Sequence, residues 1–233
     1  MQAIILAGGI GTRLSGLLKG LPKPMVSING KPFLSILMKK LINEGVSSLI
    51  LSVGYRNEKI KRYFGNSYKS VPIYYSVEET PLGTGGAIKK SLEYVSDDTI
   101  LIFNGDSFFD IDINNFFTFH KEHFCDISIA IKKTKQTDRY GTVVINKRHR
   151  ITKFKEKAKV KNTYINCGSY VVNRKIFDNI DIKNNFFSFE KDILESNYKF
   201  LINGFASNGK FIDIGVPKDL IKAEAFFKNL NDG

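Results

Sequence analysis

The chain lacks several features that mark specialised protein classes. Only two of its 233 residues are cysteine, Cys125 and Cys167, so no disulfide framework is expected and a reducing compartment is favoured. No apolar run approaches the roughly 20 residues that a transmembrane helix needs. The first residues, MQAIILAGG, contain no basic segment of the kind that opens a signal peptide. We therefore expect a cytoplasmic protein without a membrane partner.

Acidic residues are scarce relative to basic ones, with 23 Asp and Glu against 35 Lys and Arg and a formal charge of +12. Such an excess favours an anionic partner, although a solvated basic surface is the simpler alternative. The lysines are spread along the chain and no RNA- or DNA-binding motif is present, so we expect no nucleic-acid partner. The three histidines, His120, His123 and His149, lack metal-ligand spacing and are predicted to lie at the surface.

Proline-rich linkers, low-complexity tracts and internal repeats are also absent, which favours a single domain over residues 1–233. In the first half, apolar segments of strand and helix length alternate. They predict strands over 2–6, 48–53, 73–77 and 99–103, and helices over 33–43, 57–64 and 85–95. Gly45 is the predicted C-cap of the helix over 33–43. This alternation favours an α/β fold with a parallel sheet covered on both faces.

The pattern changes after about residue 125. Shorter, alternating segments predict antiparallel strands over 126–131, 142–145, 151–155 and 164–172, followed by helices over 188–197 and 217–229. Pro217 is compatible with the first position of the last helix. We therefore predict one α/β domain whose second half carries an inserted antiparallel region.

A glycine-rich loop, LAGGIGTR over residues 6–13, follows the first predicted strand. Glycine lets backbone N–H groups wrap closely around phosphate oxygens. The dinucleotide fingerprint fails because Leu14 stands where glycine is required, and the Walker pattern is absent. Two cations accompany the loop. Arg13 offers a planar fork for pyrophosphate, and Lys23 offers a point charge for one phosphoryl group, aimed by Pro22 and Pro24.

Residues 8–24, GGIGTRLSGLLKGLPKP, resemble the signature of the sugar-1-phosphate nucleotidylyltransferases. Members of that family join a nucleoside triphosphate to a sugar 1-phosphate, release pyrophosphate, use Mg2+ and have a Rossmann-like, mainly parallel mixed sheet. The resemblance implies a mainly nucleotide-binding half over 1–125 and a mainly sugar-phosphate half over 126–233. It implies that the nucleotide is bound by Leu6, Ala7, Gly8, Gly9, Gly11, Thr12, Arg13, Lys23, Glu78, Gly83, Thr84 and Asp106.

The segment EETPLGTGGA over 78–87 resembles the base pocket of this family. Its glycines, among them Gly83, Gly85 and Gly86, are interpreted as letting the backbone lie flat against a base. An ionised carboxylate at Glu78 only accepts hydrogen bonds, and guanine offers the adjacent donors N1–H and N2–H2. Glu78 therefore favours GTP, whereas a solvated role at a strand end would leave the base undecided.

Two aspartates follow predicted strands and are far apart in sequence, Asp106 in FNGD and Asp213 in KFIDIGVP. Ligands bind beyond the carboxyl ends of strands in open α/β sheets. Mg2+ is typically held by one or two carboxylates together with substrate phosphates. Both blocks resemble the metal-binding blocks of the family, and the resemblance assigns the Mg2+ ligands to Asp106 and Asp213. It makes Arg13, Lys23 and Asp106 the catalytic residues.

Three blocks in the inserted region resemble sugar-pocket blocks of the family: DRYGTV, FKEKAK and INCGSY. The resemblance assigns the sugar phosphate to Lys23 and Lys157, and it assigns contacts with the sugar to Gly141, Glu156, Asn166 and Gly168. The family usually has EKP, so Ala158 departs from the pattern and predicts a looser turn.

Within the family, the chain is most similar to short bacterial guanylyltransferases that activate heptose or mannose 1-phosphates for cell-surface polysaccharides. We therefore expect a Mg2+-dependent enzyme whose partners are GTP and D-glycero-alpha-D-manno-heptose 1-phosphate or mannose 1-phosphate, with a homo-oligomer as an option. A uridylyltransferase acting on an amino-sugar 1-phosphate and a catalytically inactive binding relative remain alternatives.

Overall fold

The structure is a computed structural model that describes residues 1–9, 15–18, 20–135, 137, 139–156, 163–180, 185–196 and 200–231. Its strands are β1 (Gln2–Leu6), β2 (Ser27–Ile28), β3 (Lys31–Pro32), β4 (Ser48–Val53), β5 (Ser67–Tyr68), β6 (Val71–Val77), β7 (Thr99–Asn104), β8 (Ser107–Phe109), β9 (Ile127–Thr134), β10 (Thr142–Ile145), β11 (Ile151–Lys155), β12 (Thr163–Asn173), β13 (Ile202–Ala206) and β14 (Phe211–Asp213). Its α-helices are α1 (Ser15–Leu18), α2 (Phe33–Asn43), α3 (Asn57–Phe64), α4 (Gly83–Ser91), α5 (Ile113–Glu122) and α6 (Pro217–Asn231).

Most described strands form one mixed sheet in the order β11-β10-β12-β7-β1-β4-β6-β5. Its centre is parallel, because β1 pairs in parallel with both β4 and β7, and β4 pairs in parallel with β6. β12 continues the sheet antiparallel to β7 and also pairs with β9, which in turn holds β13. The predicted α/β fold with a mainly parallel mixed sheet is confirmed.

The central strands are mainly apolar because both faces of the sheet are covered there. Successive side chains of a strand point to opposite faces of the sheet. In β1, Ala3 and Ile5 pack in one hydrophobic cluster with α2, α3, α5 and α6, while Ile4 packs in a second cluster with α4. Such two-sided burial is the reason why these strands read as continuous hydrophobic runs.

The predicted elements of the first half are present with small differences in their ends. The helix over 33–43 ends as predicted, since Gly45 has a φ of +91° and Val46 N–H donates to the Leu41 carbonyl. This backbone conformation is one that glycine adopts without a Cβ penalty. In the described residues, no helix is both long and apolar enough to cross a bilayer.

The second half departs from prediction in three places. The segment predicted to alternate over 126–131 is uniformly buried from Ile127 to Ile131, because β9 lies inside the sheet between β12 and β13. β13 pairs with β9 in parallel, so the inserted region is not wholly antiparallel. The helix predicted over 188–197 is a π-helical turn, Phe189–Glu195.

The prediction that His120 lies at the surface is wrong. His120 is 2% exposed at the buried end of α5, and its ring nitrogens contact Ser128 Oγ at 3.0 Å and Asn173 Oδ1 at 3.1 Å. Its place on the inner face of α5, four residues after Phe116, explains the burial. His123 is half-buried and His149 is exposed, and both cysteines are free and buried.

The burial of His120 predicts a loss of stability at mildly acidic pH. Desolvation lowers the pKa of His120, opposed by its bond to Asn173 and by Asp126, while Lys121 lowers that pKa further. The unfolded state therefore binds a proton first, and stability falls as pH drops through the unfolded pKa of about 6.5. Between pH 7.5 and pH 5.5 the wild type should lose up to about 1 kcal/mol more than a His120→Gln variant. Urea denaturation at both pH values measures this difference.

His149→Gln is the matched control, because it removes an exposed histidine from the β10–β11 hairpin. Its loss of stability between the two pH values should equal that of the wild type. An equal pH dependence in the wild type and His120→Gln would contradict the assignment.

Candidate active site

The candidate site lies where the central parallel strands end. β4 pairs with β1 on one side, and β7 pairs with it on the other. The strand order therefore runs outward from β1 to β4 and β6 and then returns to the opposite side at β7. Ligands of open α/β sheets bind at the carboxyl ends of strands at such a switch point. A cavity of about 760 Å³ opens there, within the size range of small-molecule sites.

Most of the described residues predicted to bind the nucleotide line this cavity: Leu6, Gly8, Gly9, Lys23, Glu78, Gly83, Thr84 and Asp106. Ala7 is fully buried beneath it, with its N–H donating to the Ser52 carbonyl at 2.7 Å. Gly11, Thr12 and Arg13 lie outside the described residues, so the predicted roles of these three stay predictions.

Lys23 faces the cavity from a short 3-10 turn, Lys23–Met25. Pro22 precedes this turn in an extended conformation and Pro24 is buried, which restricts the backbone on both sides of the lysine. The Lys23 ammonium donates to Asp106 Oδ2 at 2.5 Å, and its side chain is 14% exposed. The sequence predicted that Lys23 meets a phosphoryl group, and the structure adds a contact with the predicted metal ligand.

Strand pairing brings Asp213 next to Asp106. β14 pairs with β8 so that Asp213 lies opposite Ser107, and Ile214 N–H donates to the Asp106 carbonyl at 3.0 Å. Both side chains line a smaller polar cavity of about 190 Å³ that adjoins the first. Burial raises the pKa of Asp213, and the neighbouring carboxylate of Asp106 raises it further. Two carboxylates that repel each other in this way are stabilised by an added cation.

The chemistry of this pair fits Mg2+. In the part of the chain that the structure describes, no group of three or more His, Cys, Asp or Glu side chains is arranged to hold a metal alone. A pair of carboxylates suits a hard cation that completes its shell with substrate phosphates and water. The Asp106 side chain is 37% exposed and faces both cavities, so a cation bound there can reach its carboxylate.

Sequence reasoning missed Arg139, which holds Asp213 in place. The Arg139 guanidinium donates to Asp213 Oδ2 at 2.5 Å and also to Asp219 on α6. Gly215 N–H donates to the other oxygen, Asp213 Oδ1, at 2.6 Å. Arg139 stands two residues before Gly141 in the DRYGTV block, but sequence alone gives no sign that it reaches Asp213.

Glu78 lies at the end of β6 with both carboxylate oxygens already accepting hydrogen bonds. Ser52 Oγ donates to Oε1 and Leu82 N–H donates to Oε2, each at 3.1 Å. A Cβ at Gly8 would lie 2.8 Å from Oε1, so glycine lets the loop pass Glu78 without displacing that carboxylate. Each carboxylate oxygen has a further lone pair, which leaves Glu78 able to accept from a base.

The glycines of the base-pocket segment have a packing role that the sequence did not reveal. A Cβ at Gly85 would lie 2.2 Å from the Phe187 ring, and one at Gly86 would lie 2.1 Å from the Asn185 carbonyl oxygen. Real Cβ atoms do not approach so closely, so these glycines admit the segment 185–189 against α4. Their predicted contact with a base stays a prediction.

Glu190 was also missed, and it links the two cavities. Its Oε2 accepts from Thr84 Oγ1 at 2.5 Å, and its Oε1 accepts from the Tyr170 hydroxyl at 3.4 Å. Tyr170 in turn accepts from Asn166 Nδ2 at 2.8 Å. This network joins the start of α4 to the inserted strands.

The predicted sugar residues converge on the smaller cavity. β12 pairs with β10 just before Asn166 and with β7 from Ser169 onward. The irregular stretch of β12 between these two pairings contains Gly168, whose φ is +68°. Gly141, Glu156, Asn166 and Gly168 line the gap that this change of partner opens. Gly141 also makes room for Phe154, whose ring a Cβ would approach to 2.7 Å. Lys157 and Ala158 lie outside the described residues.

Comparison with known proteins identifies the family. A family model described as "Nucleotidyl transferase" matches residues 2–229. The D-glycero-alpha-D-manno-heptose 1-phosphate guanylyltransferase of Aneurinibacillus thermoaerophilus is 44% identical, over 96% of this chain and 97% of its own length. The enzyme of the same name from Campylobacter jejuni is 43% identical, over 94% of this chain and 96% of its own length.

The solved structure of HddC from Yersinia pseudotuberculosis superposes with a TM-score of 0.86 at 35% identity, covering 97% of this chain and 99% of that one. The same protein has also been solved in complex with GMP-PN. The family model spans the chain from β1 into α6, a range that contains Lys23, Asp106 and Asp213. The chain therefore belongs to the nucleotidyl transferase family of enzymes.

Proposed function

We propose that the protein transfers GMP from GTP to a sugar 1-phosphate and releases pyrophosphate. D-glycero-alpha-D-manno-heptose 1-phosphate is the acceptor that we put first, and mannose 1-phosphate is the second. The observation that carries this proposal is the convergence of Lys23, Asp106 and Asp213 between a nucleotide-sized cavity and a smaller polar one. The names of the relatives support both the base and the heptose.

The reaction needs positioning and charge neutralisation more than a protein nucleophile. An oxygen of the sugar phosphate attacks the α-phosphorus of GTP in line, and the bond to pyrophosphate breaks. The nucleotide would occupy the larger cavity and the sugar the smaller one, which places the α-phosphorus beside Lys23. Lys23 neutralises charge on the α-phosphoryl group, Arg13 neutralises the departing pyrophosphate, and Lys157 binds the sugar phosphate.

Asp106 and Asp213 would hold Mg2+, which when bound neutralises phosphate oxygens and polarises the phosphoryl group. Arg139 and Gly215 N–H fix the orientation of the Asp213 carboxylate. Lys23, already 2.5 Å from Asp106, needs only a short movement of its flexible side chain to exchange that carboxylate for a phosphate.

The test is a panel of the four nucleoside triphosphates against heptose 1-phosphate, mannose 1-phosphate and N-acetylglucosamine 1-phosphate, scored by pyrophosphate release. GTP with the heptose phosphate should give the highest kcat/KM. A preference for UTP with the amino-sugar phosphate would contradict the guanylyl assignment. No turnover with any pair would favour a binding relative without catalysis.

Discrimination between bases predicts a role for Glu78. If its carboxylate accepts from both N1–H and N2–H2 of guanine, the wild type should prefer GTP over ITP, which lacks the amino group. The expected preference in kcat/KM is about 1–3 kcal/mol, or roughly 5- to 150-fold. Glu78→Gln should lose most of this preference, because its amide places a donor against a guanine donor.

The same variant separates base recognition from local structure. A glutamine can still accept from Leu82 N–H while its amide group donates to Ser52 Oγ, so the segment after β6 stays in place. Ser52→Ala is the control, since it alters the support of Glu78 and leaves the carboxylate. If Glu78→Gln keeps the wild-type ratio of GTP to ITP, Glu78 only positions its own segment.

A further inference from the structure

A third cavity, of about 520 Å³, lies behind the metal-ligand pair. It opens between β9, β14 and α6, and it shares Arg139, Tyr140, Phe211 and Asp213 with the smaller polar cavity. The nucleotide and sugar roles proposed above leave it without a ligand. Its volume is within the range of small-molecule binding sites.

Cations from three elements converge on this cavity: Lys132 from β9, Lys135 after it, Arg139, and Lys222 from α6. Lys132 is held in place by backbone carbonyls, since its ammonium donates to Asn208 at 3.0 Å and also to Gly209. Carbonyl groups orient an ammonium without cancelling its charge. Among the described residues, neither Lys132 nor Lys135 forms an ion pair with a carboxylate.

The acidic residues that line the cavity, Asp213 and Asp219, already form ion pairs. Arg139 pairs with both Asp213 and Asp219, and Lys222 donates to Asp219 at 3.1 Å. Burial opposes ionisation of Asp219, but its bonds to Arg139 and Lys222 prevail and lower its pKa. These two carboxylates balance Arg139 and Lys222, so the described residues leave the cavity with the two positive charges of Lys132 and Lys135.

One wall of the cavity is aromatic. The rings of Tyr140 and Phe211 pack edge to face, with centroids 5.3 Å apart. Lysine ammonium groups beside such a wall suit a ligand that carries phosphoryl oxygens on an organic body.

We propose that this cavity binds a small phosphorylated molecule at a site separate from the nucleotide and sugar cavities. Lys132 and Lys135 supply the charge for its phosphoryl oxygens. Because Arg139 lines the site and also holds Asp213, an anion bound here contacts the residue that orients a predicted metal ligand. Anion binding in this cavity does not require the proposed reaction.

Inorganic pyrophosphate is the probe, titrated by isothermal calorimetry at fixed Mg2+. If the proposed function also holds, the wild type should bind pyrophosphate at two sites, one beside Arg13 and one here. A Lys132→Gln/Lys135→Gln variant should lose the second site, with affinity there reduced at least about tenfold. Arg13→Ala should weaken only the first site.

The matched control is Lys133→Gln/Lys153→Gln, which removes the same charge from exposed positions. Lys133 lies between two residues of the site on β9 but points to the opposite face of the strand. The control variant should bind pyrophosphate like the wild type. If it lost affinity to the same extent, the effect would be one of net charge, and the proposal would be overturned. Unchanged pyrophosphate binding by Lys132→Gln/Lys135→Gln would also overturn the proposal. A wild type with a single pyrophosphate site that Lys132→Gln/Lys135→Gln abolishes would support the third cavity and contradict the site beside Arg13.

Discussion

Replacing Asp106 with asparagine should lower kcat by about 1,000-fold or more while the thermal midpoint stays within a few degrees. The loss is large because the variant removes one of the two carboxylates that would hold Mg2+, whose charge stabilisation of phosphoryl transfer amounts to several kcal/mol. The midpoint should change little because the Asp106 side chain is 37% exposed and lies outside the core. Steady-state pyrophosphate release and thermal denaturation measure the two quantities.

Binding of Mn2+ followed by electron paramagnetic resonance tests the same assignment without turnover. Asp106→Asn should weaken Mn2+ binding in the presence of a nucleotide analogue. Asp110→Asn is the matched control, because it changes a nearby carboxylate that is 47% exposed and pairs with Lys40 outside the site. Wild-type kcat and Mn2+ affinity in Asp106→Asn would exclude Asp106 as a ligand.

Lys23→Ala should reduce kcat by about 100- to 1,000-fold, with a smaller change in KM. A donor aimed at charge that grows in the transition state contributes more to kcat than to substrate binding. The Lys23 side chain is 14% exposed at the junction of the two cavities, where the electrostatic effect of its ammonium is only weakly screened. The measurement is kcat and KM for both substrates.

Lys31→Ala is the control for Lys23→Ala, because it removes an exposed lysine from β3. It should leave kcat and KM unchanged. Because Lys23 also pairs with Asp106, the midpoint of Lys23→Ala is recorded as well. Near-normal kcat in a folded Lys23→Ala protein would mean that the PKP segment only forms a turn.

The central strands and the helices α2 and α3 followed directly from hydrophobic periodicity. β1, β4 and β7 are buried on both faces, and α2 and α3 present one apolar face, so the local pattern and the tertiary environment agree. In the second half, the local hydrophobic pattern and the tertiary environment disagree. β13, with a glycine at its centre, carried no prediction because its weak apolar pattern becomes a strand only by pairing with β9.

α5 was missed even though a signal was present. Asp112 caps the helix by accepting from Asn115 N–H at 2.8 Å, and apolar residues follow at Ile113 and Phe116. The aromatic-rich composition of this segment concealed the helical spacing. Without a helix predicted at these residues, the sequence did not distinguish the inner face that buries His120 from a surface position.

By itself the sequence determined the parts of the site that are local in the chain. The glycine loop after β1, the restricted Lys23 and the strand-end positions of Asp106 and Asp213 depend on neighbouring residues, whose backbone preferences are read directly from the chain. Tertiary structure alone decided what those groups contact. Pairing of β8 with β14 set Asp213 beside Asp106, and side chains distant in sequence, Arg139 and Glu190, completed the site. Such contacts depend on strand partners and side-chain reach across the fold, which no local pattern encodes.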